Sequence, residues 1–486
     1  MTEASYFWHD YETTGADPRR DRPSQFAGQR TNMDLQPIGD PVSFFCRPAP
    51  DVLPHPEAVL ITGITPQQML REGLSEADFA ARIHEELATP GTCGVGYNSL
   101  RFDDEVTRHL LYRNLYEPYS REWEHGNSRW DLIDLARLCF ALRPDGIEWP
   151  RRDDGSASFR LGDLAGANGL LHERAHDASS DVQVTIELAR LLRSKQPRLF
   201  DYHFALRRKQ RAFELLDVAR RAPVLHVSSR YPATRGCLAL VVPLAVHPTQ
   251  SNAVIVYDLD VDPTPLLELD ADAIAARVFV ARADLPEGVE RIPLKLVHAN
   301  RSPALAPVTA LKGVDTARIG LSMERGLAHL ERLRNATGLD AKLRQVFSRP
   351  MDDAPVDAEL ALYNGFIGDA DKRLLREVHR TPAEQLTART FAFRDARLVE
   401  LLFRYRARNW PHTLSTDEAV RWQQFCQRRV HSPDDSRYLS VEQYFATIAQ
   451  IRSSPETPSA QMALLDALQQ WGEQTLAPRP SGGTRA

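Results

Sequence analysis

Two carboxylates stand at the end of the first apolar segment of the chain. The aromatic run Ser5–His9 predicts a short β-strand, and Asp10 and Glu12 follow it directly. Because alternate residues of a strand face the same side, both carboxylates would project together. Paired carboxylates repel each other unless a cation lies between them, and Mg²⁺ and Mn²⁺ prefer such hard oxygen ligands. A D-x-E motif also occurs at solvated strand ends, so this motif alone leaves both interpretations open.

Further titratable side chains lie where two helices are predicted to begin. Asp103 follows Gly96-Tyr97-Asn98 at a strand-to-helix junction, and Asp181 opens the amphipathic helix Val182–Arg193. His176 lies in the approach to that second helix. An imidazole with an ordinary pKa of about 6.5 suits a general base. The alternatives are that the acids only favour a helix N-terminus and that the histidine is structural.

The elements that must position these side chains alternate between strands and helices. Up to about residue 195 this alternation predicts an α/β layer architecture. The next segment is rich in strand signals and predicts a small β unit that precedes helices. The predicted elements are strands Val42–Arg47, Thr92–Tyr97, Val224–Val227, Cys237–Val246, Ala253–Leu259, Arg277–Ala281 and Ile292–Ala299, and helices Ser75–Leu87, Asp103–Tyr112, Trp130–Leu142 and Met323–Asn335.

The last third of the chain is predicted to be helical. Ser415 with Glu418 and Ser440 with Gln443 have capping-box spacing. The polar, proline-containing segment Ser348–Val356 is typical of a linker. We therefore expect domains at residues 1–196, 197–348 and 357–476, with a disordered tail at 477–486.

Composition excludes several classes of protein. The 486 residues include no apolar run long enough to cross a bilayer, and the N-terminus is unlike a signal peptide. The five cysteines are scattered, which favours reduced thiols and a cytoplasmic location. The net charge is −5, so binding to nucleic acid would require local basic surfaces.

Taken together and in order, these motifs resemble the DEDD superfamily of 3′–5′ exonucleases in its histidine subclass. The similarity to the bacterial exonuclease I family covers nearly the whole chain and is densest in the first 200 or so residues. It departs from the family pattern at Thr14, where an aromatic residue is expected, and in the extra C-terminal tail. The matching strings are HDYETTG, VLITGITP, GYNSLRFDDEVTR, NSRWDL, SFRL, AHDASSDV, QPRLFDY, KLVH, LYNGF and YRARN.

The resemblance implies a ribonuclease-H-like exonuclease domain, an SH3-like β domain and an all-α C-terminal domain. It also implies that Asp10, Glu12, Asp103 and Asp181 hold two Mg²⁺ ions, for which Mn²⁺ can substitute. Two metal ions stabilise the charge that develops on both oxygens of a phosphodiester during hydrolysis. His176 would then be the general base that takes a proton from the attacking water.

Substrate contacts of two kinds are expected. The resemblance makes Glu12, Thr13 and Arg160 contacts of the terminal nucleotide. Basic and aromatic side chains together are typical of single-strand binding, although solvated helix faces with core aromatics are the alternative. On this basis the expected guides of the strand are Arg108, Tyr119, Trp123, Tyr202, Arg404, Arg406 and Arg408.

The expected function is processive 3′–5′ degradation of single-stranded DNA to nucleoside 5′-monophosphates by a monomer, with roles in DNA repair and recombination. The alternatives are an RNA-directed or proofreading exonuclease of the same superfamily and a non-catalytic single-strand-binding scaffold. Family members also bind the acidic tail of single-stranded-DNA-binding protein. Arg143, Tyr202 and Lys312 resemble part of that surface.

Overall fold

Ten strands form two separate five-stranded sheets in the computed structural model. The model describes residues 3–170, 177–348, 356–433 and 436–476. The strands are β1 (Ser5–Thr13), β2 (Pro23–Thr31), β3 (Val42–Phe45), β4 (Thr92–Gly96), β5 (Ser128–Asp131), β6 (Val224–Val227), β7 (Leu238–Val246), β8 (Ala253–Asp258), β9 (Leu294–His298) and β10 (Ala304–Pro307).

Helices cover the first sheet, flank the second and make up the third domain. In chain order they are α1 (Pro56–Thr62), α2 (Pro66–Glu72), α3 (Glu76–Ala88), α4 (Asp103–Arg113), α5 (Leu132–Leu142), α6 (Leu161–Ala167), α7 (Ala178–Lys195), α8 (Pro197–Ala205), α9 (Lys209–Leu215), α10 (Thr264–Glu268), α11 (Ala271–Val278), α12 (Met323–Asn335), α13 (Leu339–Phe347), α14 (Asp369–Arg380), α15 (Ala396–Asn409), α16 (Thr416–His431), α17 (Val441–Ser453) and α18 (Ser459–Leu476).

The first sheet has the order β3-β2-β1-β4-β5 and confirms the predicted α/β architecture. β1 is central and pairs with β2 antiparallel and with β4 parallel. Trp8 and Trp130 are fully buried on one face, under α5 and α7, whereas Phe7 and Phe26 pack on the other face under α3. Strand β2 was missed because its sequence PSQFAGQRT carries neither a continuous nor an alternating apolar pattern.

The second sheet is antiparallel throughout, with the order β10-β6-β7-β8-β9. The predicted strand at Arg277–Ala281 is wrong, because this segment forms the end of α11 and the turn after it. Asp270 caps that helix by accepting a hydrogen bond from the backbone N–H of Ala273 at 2.8 Å. The cap and the alanine-rich residues after it outweigh a short apolar run that fits either structure.

The third domain is helical, as predicted. Both capping boxes are formed, at Ser415 with Glu418 and at Ser440 with Gln443. Most of the predicted linker and the predicted tail lie outside the described residues.

Apolar contacts join the domains into one body. Ile133 and Phe140 of α5 share a core with the second sheet, and Tyr112 of α4 shares one with α14 and α15. The five cysteines are free, and the part of the chain that the structure describes has no helix of the length and apolarity needed to span a membrane.

Candidate active site

Three of the predicted carboxylates meet at the end of β1. Asp10 and Glu12 lie on the same face of this strand, and Asp181 approaches from the first turn of α7, which packs across β1 and β2. One oxygen from each of the three carboxylates lies within 4.8 Å of the other two. That spacing is the one expected of side chains that share a cation.

Asp103 stands beside this group rather than within it. Its carboxylate accepts a hydrogen bond from the backbone N–H of Tyr11 at 3.1 Å, between the two acids of β1. The Tyr11 hydroxyl lies 2.9 Å from the Thr107 hydroxyl, which donates to the Asp103 carbonyl at 2.8 Å. The start of α4 is therefore fixed to β1, and the structure brings all four predicted acids to one place.

The acids raise one another's proton affinity. Burial, followed by the charges of Asp103 and Glu12, raises the pKa of Asp10 well above its ordinary value. Burial, followed by the charges of Asp181 and Asp103, raises the pKa of Glu12 to about 8. Burial likewise raises the pKa of Asp103. Buried carboxylates that lie side by side are costly as anions, so this donor set fits a hard divalent cation that would neutralise them.

Two further pairs of residues position the acids and were not singled out in the sequence. The Gln25 amide of β2 donates to the Asp177 carboxylate at 3.2 Å, which ties the start of α7 to the sheet. Asp104 accepts from Arg121 at 2.7 Å and holds α4 from its other side. A buried polar side chain next to a predicted ligand would have been the only signal for these residues.

Asp131 positions the loop between β4 and α4. Its carboxylate accepts from the backbone N–H groups of Asn98 at 2.8 Å, Leu100 at 3.2 Å and Ile133 at 3.2 Å. Asn98 has a φ of 65°, a left-handed conformation that asparagine tolerates better than most residues. This carboxylate therefore stabilises the turn that delivers Asp103.

The roles predicted for two active-site residues, His176 and Thr13, stay predictions. His176 lies outside the described residues, so its role as general base stays a prediction. The Thr13 hydroxyl donates to the Gly15 carbonyl at 2.6 Å and shapes the turn after β1. Its predicted contact with a nucleotide is not tested.

A cleft between the first and second domains contains Asp181 and the predicted contact Arg160. Its volume is about 970 Å³, and we call it the interdomain cleft. Tyr97 donates its hydroxyl to the Phe159 carbonyl at 2.7 Å, which holds the segment that carries Arg160. The Arg160 side chain is exposed in the cleft.

The three arginines of α15 do not lie on an open path, which argues against the prediction that they track DNA. Arg404 and Arg406 are each 6% exposed, and Arg408 is similarly inaccessible. Arg406 binds Glu418 at 2.8 Å. Guanidinium groups that are already bonded to carboxylates are poor ligands for a phosphate chain.

Arg404 and Arg408 belong to a group that we call the buried ion cluster. It joins the first domain to the third, with Arg408 bound to Asp51 at 2.9 Å and to Glu359 at 2.6 Å. Arg22, which follows the turn after β1, binds Glu359 at 2.7 Å. The members of the cluster are Arg22, Asp51, Asp357, Glu359, Arg404, Arg408 and Arg429.

The remaining predicted guides of the strand differ in accessibility. Arg108 is 4% exposed and binds Glu122 at 2.7 Å and Glu105 at 2.8 Å, which argues against phosphate binding, although its predicted contact with DNA is not tested. Trp123 is 63% exposed, and Tyr119 is partly exposed. Both rings remain available to stack on bases.

The residues predicted to bind a partner protein also differ. The Tyr202 ring packs against the two apolar clusters of the second sheet, one of which includes α5 of the first domain, and its hydroxyl is buried with no hydrogen-bond partner in the described ranges. This burial argues against a contact of that hydroxyl with DNA or protein. Arg143 donates to the Ala310 carbonyl at 3.1 Å, close to the exposed Lys312, so these two basic residues share one surface.

Comparisons with known proteins cover each domain. Family models for an exonuclease, an exonuclease I SH3-like domain and an exonuclease I C-terminal domain match residues 7–189, 207–349 and 356–475. They confirm the predicted order of an exonuclease, an SH3-like and a helical C-terminal domain. The limits predicted for each domain stay a prediction.

Similar proteins extend over the whole length. Exodeoxyribonuclease I of Escherichia coli is 45% identical over 97% of this chain and 98% of the relative, and that of Haemophilus influenzae is 43% identical over 97% and 99%. Exonuclease I of Methylocaldum szegediense has a TM-score of 0.93 at 50% identity, covering 98% of this chain and 100% of the other. The E. coli enzyme in complex with a dA16 oligonucleotide has a TM-score of 0.93 at 44% identity, covering 97% and 100%. The converging carboxylates and the two accessory domains agree with these comparisons, which show that this chain belongs to the exodeoxyribonuclease I family.

Proposed function

We propose that the protein is a 3′–5′ exonuclease that degrades single-stranded DNA to nucleoside 5′-monophosphates. The observation that carries this proposal is the meeting of Asp10, Glu12 and Asp181 within 4.8 Å, with Asp103 beside them. The raised pKa values of Asp10, Glu12 and Asp103 are those of acids that a bound cation would neutralise. The relative solved with a dA16 oligonucleotide supports single-stranded DNA as the substrate.

Divalent metal dependence follows from the exonuclease domain, and we propose Mg²⁺ as the metal, with Mn²⁺ as a substitute. Asp10, Glu12, Asp103 and Asp181 would hold two ions, which would stabilise charge on the phosphoryl oxygens. Tyr11 and Gln25 keep the acids in place through the hydrogen bonds described above. Catalysis of this kind depends on such pre-organisation, since small displacements of the ligands are costly.

His176 is our proposed general base. In the sequence only Asp177 lies between His176 and α7, the helix that carries Asp181 of the metal site. An imidazole near neutral pKa can take the proton of the attacking water and return it to solvent.

The terminal nucleotide and the strand that follows it need separate contacts. We assign the nucleotide to Glu12, Thr13 and Arg160, of which Arg160 is exposed in the interdomain cleft that also contains Asp181. For the strand we assign stacking to Tyr119 and Trp123. Phe366 of the third domain, which is 86% exposed, packs edge-on against Tyr119 with 5.8 Å between ring centroids.

Tyr119, Trp123 and Phe366 together would give the third domain a part in substrate binding, because Phe366 belongs to that domain. Rings from two domains at one surface would hold successive bases whatever their sequence. A strand held by several domains is slow to dissociate between cuts, which would make digestion processive.

Several finer assignments complete the proposal. We propose domain limits of 1–196, 197–348 and 357–476, a monomer in the cytoplasm, and roles in DNA repair and recombination. Arg143 and Lys312 would bind the acidic tail of single-stranded-DNA-binding protein, since two basic residues on one surface complement a carboxylate-rich peptide.

The decisive experiment is a nuclease assay on 3′-labelled single-stranded DNA. We expect release of labelled nucleoside monophosphate in Mg²⁺ and none in chelator, with duplex DNA resistant. Equal rates on RNA would favour an RNA-directed enzyme. Binding without cleavage in either metal would favour a scaffold and contradict the proposal.

A further inference from the structure

One wall of the interdomain cleft is formed by the second domain and has no part in the proposed metal site. Arg230 and Tyr231, from the turn after β6 in the second domain, face the segment that carries Arg152 and Arg160 in the first. Three of these four residues are arginines with exposed side chains. The SH3-like domain thus lines a cavity that also contains Asp181.

These three arginines differ from those of the buried ion cluster, each of which binds a carboxylate. Within the described ranges, no carboxylate oxygen lies within 4.0 Å of Arg152, Arg160 or Arg230. Arg137, deeper in the same cleft, instead binds Asp134 at 3.0 Å. The cleft therefore presents guanidinium groups whose charge is not neutralised by the protein.

Short, well-anchored segments hold two of the arginines. The backbone N–H of Arg152 donates to the Ser156 carbonyl at 2.8 Å and closes a small hairpin. The backbone N–H of Arg230 donates to the Ser228 hydroxyl at 3.3 Å. Tyr231, next to Arg230, is 9% exposed, and its hydroxyl lies 3.1 Å from His226 Nδ1. The main chain that carries each guanidinium is thus fixed before any ligand binds.

The lining of the cleft carries little negative charge. Of the described residues that line the cleft only two are acids, and one of them, Asp181, belongs to the proposed metal site. A dianionic group would find several unneutralised cations here.

We propose that Arg230, together with Arg152, binds a nucleotide phosphate in the interdomain cleft, so that the SH3-like domain contributes directly to the active site. The inference rests on the proposed nuclease function. A guanidinium presents a planar fork of donors that matches phosphate oxygens. The volume of about 970 Å³ falls within the range of small-ligand sites and leaves room for a nucleotide beside the acids.

The phosphate has two sources with the same chemistry. It belongs either to the last nucleotides of the bound strand or to the nucleoside monophosphate that is released. Both sources place Arg230 in contact with substrate or product, and different ligands distinguish them.

The test measures equilibrium binding in chelator, where no cleavage occurs and the outcome does not depend on catalysis. The ligands are thymidine 5′-monophosphate and a short fluorescein-labelled oligothymidylate. The variants are Arg230→Ala, Arg152→Ala and the charge-retaining Arg230→Lys. Arg344→Ala is the matched control, since this exposed arginine of α13 belongs to the same domain but does not line the cleft.

We expect each alanine variant to weaken binding of at least one ligand about tenfold, because a hydrogen bond to a charged group is lost. Arg230→Lys should recover part of the affinity, and Arg344→Ala should bind as the wild type does. Loss for the monophosphate alone identifies product binding, and loss for the oligonucleotide alone identifies the strand.

Unchanged affinity of both alanine variants for both ligands would overturn the proposal. A wild-type protein that binds both ligands but does not cleave DNA in Mg²⁺ would instead overturn the proposed nuclease function and leave the phosphate site standing. Circular dichroism of every variant checks that its fold is unchanged.

Discussion

The active site and the buried ion cluster use the same side chains in opposite ways. At the end of β1, Asp10, Glu12 and Asp181 lie close together, and exposed arginines line the adjoining cleft. Between the first and third domains, Asp51 and Glu359 are each held by several arginines. In the first region charge is left for a ligand, and in the second it is satisfied within the protein.

The pKa directions express the same difference. Burial and neighbouring acids raise the pKa of Asp10 and Glu12, whereas neighbouring arginines, despite burial, hold the pKa of Asp51 and Glu359 below their usual range. A carboxylate that is stabilised in the fold contributes to stability, and one that is destabilised makes the fold less stable until a ligand binds. A cluster of charged side chains therefore does not by itself identify a functional site. A cluster whose charges are not neutralised by neighbouring side chains does.

The largest expected effect is on catalysis. Asp10→Asn removes one ligand of the shared metal site, so we expect turnover on single-stranded DNA in Mg²⁺ to fall by roughly 10³-fold or more. Because repulsion from Glu12 and Asp103 is relieved, the metal-free variant should unfold at the same or a higher denaturant concentration than the wild type. Single-turnover kinetics and urea unfolding measure the two effects. Turnover within a few-fold of the wild-type rate would show that Asp10 is not a metal ligand.

The buried ion cluster should respond in the opposite way. Arg408→Met leaves Asp51 and Glu359 with fewer partners, and breaking a buried pair typically lowers the free energy of unfolding by about 3–5 kcal/mol. Cleavage of a short oligonucleotide by the folded variant should stay near the wild-type rate. The exposed Arg428→Met in the neighbouring helix α16 is the matched control and should change little. Unaltered stability with a smaller salt dependence of DNA binding would restore the predicted DNA path.

Metal binding should stabilise the protein through the active site and not through the buried ion cluster. At a hundredfold excess over its dissociation constant, a ligand that binds the native state adds about 2.7 kcal/mol to the free energy of unfolding. We expect this increase when Mg²⁺ is added to the chelator-treated wild type and its loss in Asp10→Asn. Arg408→Met should retain it. Thermal unfolding with and without metal is the measurement, and equal stabilisation of Asp10→Asn would place the cation elsewhere.

The smallest expected effect is on the pH dependence of the metal-free protein. The pKa of Glu12 is raised to about 8, so its contribution to stability is full below the unfolded value of about 4.3 and is lost as the pH rises through about 8. Glu359, whose pKa is lowered, contributes above its unfolded value and loses that contribution as the pH falls. Glu12→Gln should therefore raise the free energy of unfolding by about 1 kcal/mol or more at pH 9 and little at pH 4. A gain of the same size at both pH values would contradict the assignment.

Local signals in the sequence were sufficient for much of the architecture. The acids of β1, the helix caps at Ser75 and Ser415 and the helix Met323–Asn335 depend on neighbouring residues, and the structure confirms them. Strand β2 and the end of α11 were not predicted correctly. The polar β2 is buried because it lies between β1 and β3, which is a property of the sheet and not of its own residues.

By itself the sequence determined the domain order, the family and the acids that converge on one site, because these follow from strand periodicity, helix caps and motifs only a few residues long. Only the tertiary structure decided which charges are free. Arg408 meets Asp51 across 357 positions of the chain, and Arg22 meets Glu359 across 337. Such distant neighbours decide whether an arginine binds a carboxylate of its own protein or is available to bind a phosphate. The reason is that Coulombic stabilisation acts through space over a few ångströms and leaves no local pattern in the sequence.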